Sequence, residues 1–136
     1  MTPDLEGVVR FDQAMVGVDL AAGILVDHPV GPMTTYRVGG RAARFVRPVD
    51  RSELEAVAAG VASAGIPVLV VGRGSNLLVA DGGFGGLALQ LGQPFEKVRT
   101  EGTTVVAGAG VSLPVLARRT VAESLTGFEW AVGVPG

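Results

Sequence analysis

The chain has no cysteine, which excludes disulfide bridges, zinc–thiolate centres and a thiol nucleophile, and which fits a reducing cytoplasm. It has a single histidine, His28, too little for a histidine-built metal centre, and a single lysine, Lys97. A Walker phosphate loop, which must close on Gly-Lys-Ser/Thr, is therefore excluded. No long apolar run is present: the longest uncharged stretch, residues 56–72, is broken by Gly60, Gly65 and Pro67 and falls short of the roughly 18 to 20 apolar residues of a membrane span. Asp4 and Glu6 stand where a secretory signal would carry basic residues. There is also no excess of positive charge. With a formal net charge of −2 and arginines scattered instead of striped, neither a nucleic acid nor a membrane is an expected partner.

What is there is glycine and aliphatic sequence. The 136 residues, 48% hydrophobic, suffice for one domain with a core. The 21 glycines and 8 prolines follow no period, so they read as turn chemistry in a sheet-rich protein. The most informative stretch is Pro67-Val68-Leu69-Val70-Val71-Gly72-Arg73-Gly74-Ser75-Asn76-Leu77-Leu78-Val79, an apolar strand entering a glycine-bracketed polar turn. Gly72 and Gly74 permit positive φ and carry no Cβ, so successive backbone N–H groups can converge on one anion while Ser75 and Asn76 add side-chain donors. This is a pyrophosphate cradle. A dinucleotide fingerprint of the Rossmann type is disfavoured, because Leu77-Leu78-Val79 continues as a β-like run where a helix would be required.

Around the cradle, residues 44–49 read as a strand and Asp50 with Glu53 stands at capping-box spacing. A helix is expected from Arg51 to Gly65, with Leu54, Val57, Ala58 and Val61 on its apolar side. With residues 68–71 this makes a βαβ unit whose second strand is expected to be covered on both faces, and the cradle lies at that strand's C-terminal end, where open α/β sheets bind ligands. Residues 87–91, 95–99 and 103–107 suggest an antiparallel meander, and 113–124 a second helix with Ser112 as N-cap, Val121 facing inward and Gly127 as stop. The turn Ala107-Gly108-Ala109-Gly110-Val111-Ser112 precedes that helix, whose unpaired N–H groups make it either a second wall for an extended diphosphate ligand or a plain β-to-α turn. Residues 1–26 give no sustained period and read as a variable leader with one helical turn or an edge strand. Arg37 has the charge to neutralise part of a phosphate, although an arginine so placed is more commonly solvated. Arg73 has the same two readings. His28 reads as an exposed loop residue without a catalytic partner, Asp81 and Glu129 lack partners for acid–base work, and Trp130 reads as core packing.

The ordered segments Thr35-Tyr36-Arg37-Val38-Gly39-Gly40, Gly65 through Val79, Asp81-Gly82-Gly83-Phe84, Ala107-Gly108-Ala109-Gly110-Val111 and Gly127-Phe128-Glu129-Trp130-Ala131-Val132-Gly133-Val134-Pro135-Gly136 together resemble the N-terminal part of the UDP-N-acetylenolpyruvoylglucosamine reductases. The resemblance covers roughly residues 27–136. It implies an α/β (α+β) chain with the vanillyl-alcohol-oxidase/PCMH-type FAD-binding fold, a first lobe at about 27–80, the start of a more antiparallel second lobe at about 81–136, and no substrate-binding domain. It implies that FAD is the cofactor, NADPH the hydride donor and a nucleotide-sugar the substrate, in a cytoplasmic enzyme of peptidoglycan precursor synthesis.

By the same resemblance, Gly72, Arg73, Gly74, Ser75, Asn76, Leu77 and Leu78 bind the FAD diphosphate, Ala109, Gly110 and Val111 lie along the cofactor, and Gly133, Val134, Pro135 and Gly136 open the next flavin-contacting segment. The family's catalytic serine, glutamate and arginine fall beyond Gly136, so no catalytic residue is assigned and the chain by itself is not expected to turn over. Thr34 stands where many relatives carry asparagine, and Arg73 where a small or acidic residue is common. Two alternatives stay open: the FAD-binding part of an alcohol or hydroxy-acid oxidase of the same fold, or a nucleotide-binding module complete in itself. Oligomeric state is not legible.

Overall fold

The computed structural model describes residues 5–134. The described elements are α1 (Leu5–Ala14), β1 (Ile24–Pro29), β2 (Arg41–Val46), α2 (Arg51–Ala64), β3 (Val68–Val70), β4 (Phe84–Leu89), β5 (Val98–Glu101), β6 (Thr104–Ala107) and α3 (Leu113–Ala122), joined by short 3-10 turns. A four-stranded sheet in the order β1-β2-β4-β3 forms the first layer, and β5 and β6 form a separate antiparallel hairpin. The expected mixed α/β class is what the chain adopts.

Helix α2 follows its sequence signals. The Asp50 carboxylate accepts from the Glu53 N–H at 2.9 Å, satisfying one of the four unpaired donors at the helix start. Glu53 reaches back to accept from the Val49 N–H at 2.9 Å and from the Ala21 N–H at 2.8 Å, tying the helix start to the preceding chain. Gly65, in the left-handed region, ends the helix and donates to the Val61 carbonyl at 2.9 Å. Val57 and Ala64 are buried, whereas Ala58 faces solvent. The Glu53 N–H, helped by the Ser52 hydroxyl, holds the Asp50 carboxyl below its ordinary pKa. A depressed folded-state value means that this cap stabilises the protein at neutral pH and that the contribution fades as pH falls through the depressed value. Asp50→Asn, which caps without titrating, is expected to flatten this part of the acid limb of a stability–pH curve measured by urea unfolding.

Residues 5–26, within the stretch expected to be a variable leader with one helical turn or an edge strand, hold a ten-residue helix and the start of β1. Val8, Phe11 and Met15 recur at i, i+3 and i+7, and all three are buried against α2 and the sheet. Gly60 of α2 makes room for them: a Cβ there would stand 2.8 Å from the Met15 sulfur. Asp12 pairs with the Arg44 guanidinium through two contacts, one of them 2.7 Å long, and Arg10 donates to the Ala64 carbonyl at 2.9 Å. Strand β1 also begins before residue 27 and pairs antiparallel with β2. His28 lies on this strand and not in a loop; its ring stacks on Phe45 at 4.3 Å. Burial first, then the charges of Arg47 and Arg41, hold His28 below its ordinary pKa.

The sheet differs from the expected order in one respect with wide consequences. Residues 84–89 do not start an antiparallel meander; they form β4, parallel to both β2 and β3 and inserted between them. The four-stranded sheet therefore extends past residue 81. Along β4, Leu87 and Leu89 face the α1/α2 side while Ala88 faces the other, where Val30, Phe45, Val71 and Val79 pack. Strand β3 is left at the edge, with Val70 67% exposed, so the expectation that it is covered on both faces fails. Of the meander, β5 and β6 pair as expected, but Gln93–Glu96 is a 3-10 turn with Pro94 at its start. Helix α3 ends at Ala122; Ser112 holds the N-cap position without a side-chain capping bond, and Val121 and Trp130 are exposed instead of buried. Trp130 meets Phe128 edge to face at 5.2 Å.

Candidate functional site

Three adjacent parallel strands, β2, β4 and β3, end side by side, and the chain that leaves them builds the site. Arg47 follows β2, Gln90 follows β4, and Val71 and Gly72 follow β3. Opposite them, the segment at 92–96 and the turn at 109–112 close a groove of about 590 Å³, a volume typical of ligand sites. The groove brings Gly72 and Arg73 together with Ala109, Gly110 and Val111, two sets separated by more than thirty positions in the chain. Its charged lining is Arg47, Arg73 and Glu96.

Within the cradle, the backbone N–H groups of Gly72, Arg73, Gly74 and Asn76 have no acceptor among the described residues. Two of its carbonyls are held from outside: Gly72 accepts from the Gln90 side-chain amide at 2.9 Å, and Gly74 accepts from the Thr35 N–H at 3.1 Å. Gly74 takes φ +70° and its Cα lies so near the 33–34 backbone that a Cβ would be 2.3 Å from the Met33 carbonyl oxygen. Gly72 is different. Its φ is not positive, and a Cβ there would meet nothing within 4 Å. Its bare surface is thus a property of the groove and not a demand of local packing.

The Thr35-to-Gly40 motif brackets the cradle from behind. The buried Thr34 hydroxyl donates to the Gly31 carbonyl at 2.8 Å and accepts from the Arg37 N–H at 3.1 Å, and the Gly40 N–H donates to the Ala80 carbonyl at 2.9 Å. Arg37 is exposed and does not line the groove, in keeping with the solvated reading. In the second turn, Gly108 donates to the Lys97 carbonyl, Gly110 to that of Phe95 and Val111 to that of Gly108, at 2.8, 3.1 and 3.1 Å, so three amides of the turn are consumed in pinning it.

Ser75 is half-buried, Leu77 packs on the sheet and Leu78 is 69% exposed; none of these, nor Gly74 or Asn76, lines the groove itself. Gly133 ends the Glu129–Gly133 turn and Val134 caps it, and neither lines the groove, while Pro135 and Gly136 fall outside the described residues. Arg47 and Gln90 were not visible as site residues in the sequence. The only signal that could have found them is their position immediately after strands whose order the sequence does not disclose. Among the described residues no cluster of His, Asp or Glu could hold a metal ion, and no helix is long and apolar enough to cross a membrane.

A family profile described as an FAD binding domain matches residues 42–136. The chain belongs to this FAD binding domain family. The match begins at β2 and includes the cradle, the second turn and α3. The chain is 41% identical over 113 residues to UDP-N-acetylenolpyruvoylglucosamine reductase of Desulforamulus reducens, an alignment covering 83% of this chain and 37% of that protein. It is 40% identical over 118 residues to the enzyme of the same name from Azorhizobium caulinodans, covering 87% and 38%. The crystal structure of UDP-N-acetylenolpyruvylglucosamine reductase from Thermus caldophilus superposes with a TM-score of 0.62 at 29% identity, covering 83% of this chain and 38% of that one. The chain thus spans well under half the length of these relatives.

Proposed function

We propose that this chain is the FAD-holding part of an NADPH-dependent reductase that converts UDP-N-acetylenolpyruvoylglucosamine to UDP-N-acetylmuramate. The observation that carries the reading is the cradle itself: amides at Gly72, Arg73 and Gly74 that are unpaired among the described residues, beside an open groove at the ends of parallel strands. Such a donor set fits a diphosphate, and the names of the relatives favour the reductase over an oxidase of the same fold. FAD, when bound, supplies the hydride relay between nicotinamide and nucleotide-sugar. The chain's own part is to bind and orient. Backbone N–H groups of the cradle take the phosphate oxygens, Gly72 leaves room for them, and the Arg73 guanidinium favours the double negative charge. The Ala109 to Val111 turn forms the facing wall and excludes water. A cytoplasmic location goes with this reading.

The test is Gly72→Leu. Because a Cβ at 72 meets nothing, the variant is expected to keep the wild-type melting temperature. In an NMR titration with FAD, wild-type protein should show shifts at the Arg73 and Gly74 amides, and the variant should lose them. A wild-type titration that moves no cradle amide rules the reading out.

A further inference from the structure

The cradle holds the Arg73 amide, unpaired among the described residues, between two glycines, and something must keep that amide from turning. The peptide plane between Gly72 and Arg73 has little steric restraint, since a Cβ at 72 would meet nothing within 4 Å. Its one described polar anchor is the hydrogen bond from Gln90 Nε2 to the Gly72 carbonyl, 2.9 Å long. Among the described residues every peptide bond is trans, so a carbonyl and the N–H of the next residue point in opposite directions across one plane. Fixing the Gly72 carbonyl toward Gln90 therefore fixes the Arg73 N–H on the far side, unpaired.

Gln90 can donate to that carbonyl only if its amide is turned the right way. Arg47 decides this. A guanidinium has donors and no acceptor, and the Arg47 Nη2 donates to Gln90 Oε1 at 2.6 Å, which leaves Nε2 facing Gly72. Arg47 is itself placed over the Phe45 ring, 5.6 Å from its centroid. The order β2-β4-β3 puts the three residues in a row, with Gln90 in the middle.

We infer that Gln90, oriented by Arg47, is a positioning residue that sets the direction of the Arg73 amide and so prepares the cradle for a diphosphate before any ligand arrives. Arg47 acts through Gln90, not by touching the anion. The choice of diphosphate rests on the proposed function; the positioning chain does not.

The experiment uses this chain labelled with 15N and 13C, with ADP as probe, and the variants Gln90→Leu, Gln90→Glu, Arg47→Met, Arg47→Lys and the double variant Arg47→Met/Gln90→Leu. Without ligand, Gln90→Leu should move the Gly72 carbonyl carbon to the shift of an unbonded carbonyl and speed solvent exchange of the Arg73 amide. Gln90→Glu, which still accepts from Arg47 but cannot donate, should do the same, so that a misfolded leucine variant would not leave the matter open. Arg47→Lys should restore most of what Arg47→Met loses. ADP affinity should fall about three- to tenfold in Gln90→Leu, the range of one neutral hydrogen bond, and the double variant should be no weaker than Gln90→Leu alone. Additive losses would mean that Arg47 meets the anion directly and would overturn the inference. So would an unchanged Gly72 carbonyl and Arg73 exchange rate in both Gln90 variants. If ADP binds neither wild type nor variants, the diphosphate reading fails, while the ligand-free signals still decide the positioning chain.

Discussion

Valine at position 74 is expected to lower the unfolding free energy by about 2 to 6 kcal/mol and to remove nucleotide binding with it, a large share of the roughly 5 to 15 kcal/mol that holds a domain together. Two costs combine. The residue sits at φ +70°, which a β-branched side chain adopts only under strain, and its Cβ would lie 2.3 Å from the Met33 carbonyl oxygen and 2.7 Å from the Thr34 Cα. Those atoms cannot step aside freely, because the Met33 and Thr34 amides are bonded to the Val30 and Gly31 carbonyls at 2.9 and 3.0 Å. Relief requires separating the cradle from the 31–40 loop, which also breaks the Thr35-to-Gly74 hydrogen bond. Chemical denaturation followed by circular dichroism measures the effect. An unchanged midpoint would show that the cradle does not rest on residues 33 and 34. Gly72→Leu is the matched control, since a side chain two positions away should alter binding and spare the fold.

Phe11→Ala should cost about 3 to 5 kcal/mol, the range for truncating a fully buried phenylalanine. Phe11 has no exposed surface and leads the fully buried side chains of the described residues by volume. It contacts the α2 face that Gly60 leaves open, with Met15 beside it, so truncation leaves a cavity that a helix pair already in close contact can fill only by shifting. The urea midpoint should fall with little change in slope. Had residues 1–26 been a leader, the same substitution would be silent.

Part of this architecture is written locally and part is not. Helix α2 could be read to the residue at both ends because its start and stop are set by neighbours in sequence: Asp50 caps Glu53, and Gly65 turns the chain. The β5–β6 hairpin is equally local. Helix α1 escaped notice because the exposed Val9 in it and Val16 just after it blur the apolar period, and only packing on α2 tells Val8, Phe11 and Met15 apart from them. The place of β4 was hidden for a similar reason. Gly85-Gly86 looks like a strand breaker, yet Gly86 is where the Pro67 carbonyl passes, 2.3 Å from where a Cβ would be. As to the site, the glycine-bracketed turn at the end of β3 was legible because its glycines and polar residues are consecutive, although only Gly72 and Arg73 of it line the groove. The loss of the Gly108, Gly110 and Val111 amides to internal bonds was not, since their acceptors lie at residues 97, 95 and 108. Arg47 and Gln90 were missed because only the strand order makes them neighbours.

That strand order also bears on how the protein comes off the ribosome. Until residues 84–89 have emerged, β2 and β3 lack the strand that joins them, and the pairing that completes the sheet is the non-local, slow kind. Gln90 arrives with the same strand. A half-made chain therefore has neither a complete sheet nor the side chain that sets the Gly72 carbonyl, and one strand with the residue after it supplies both.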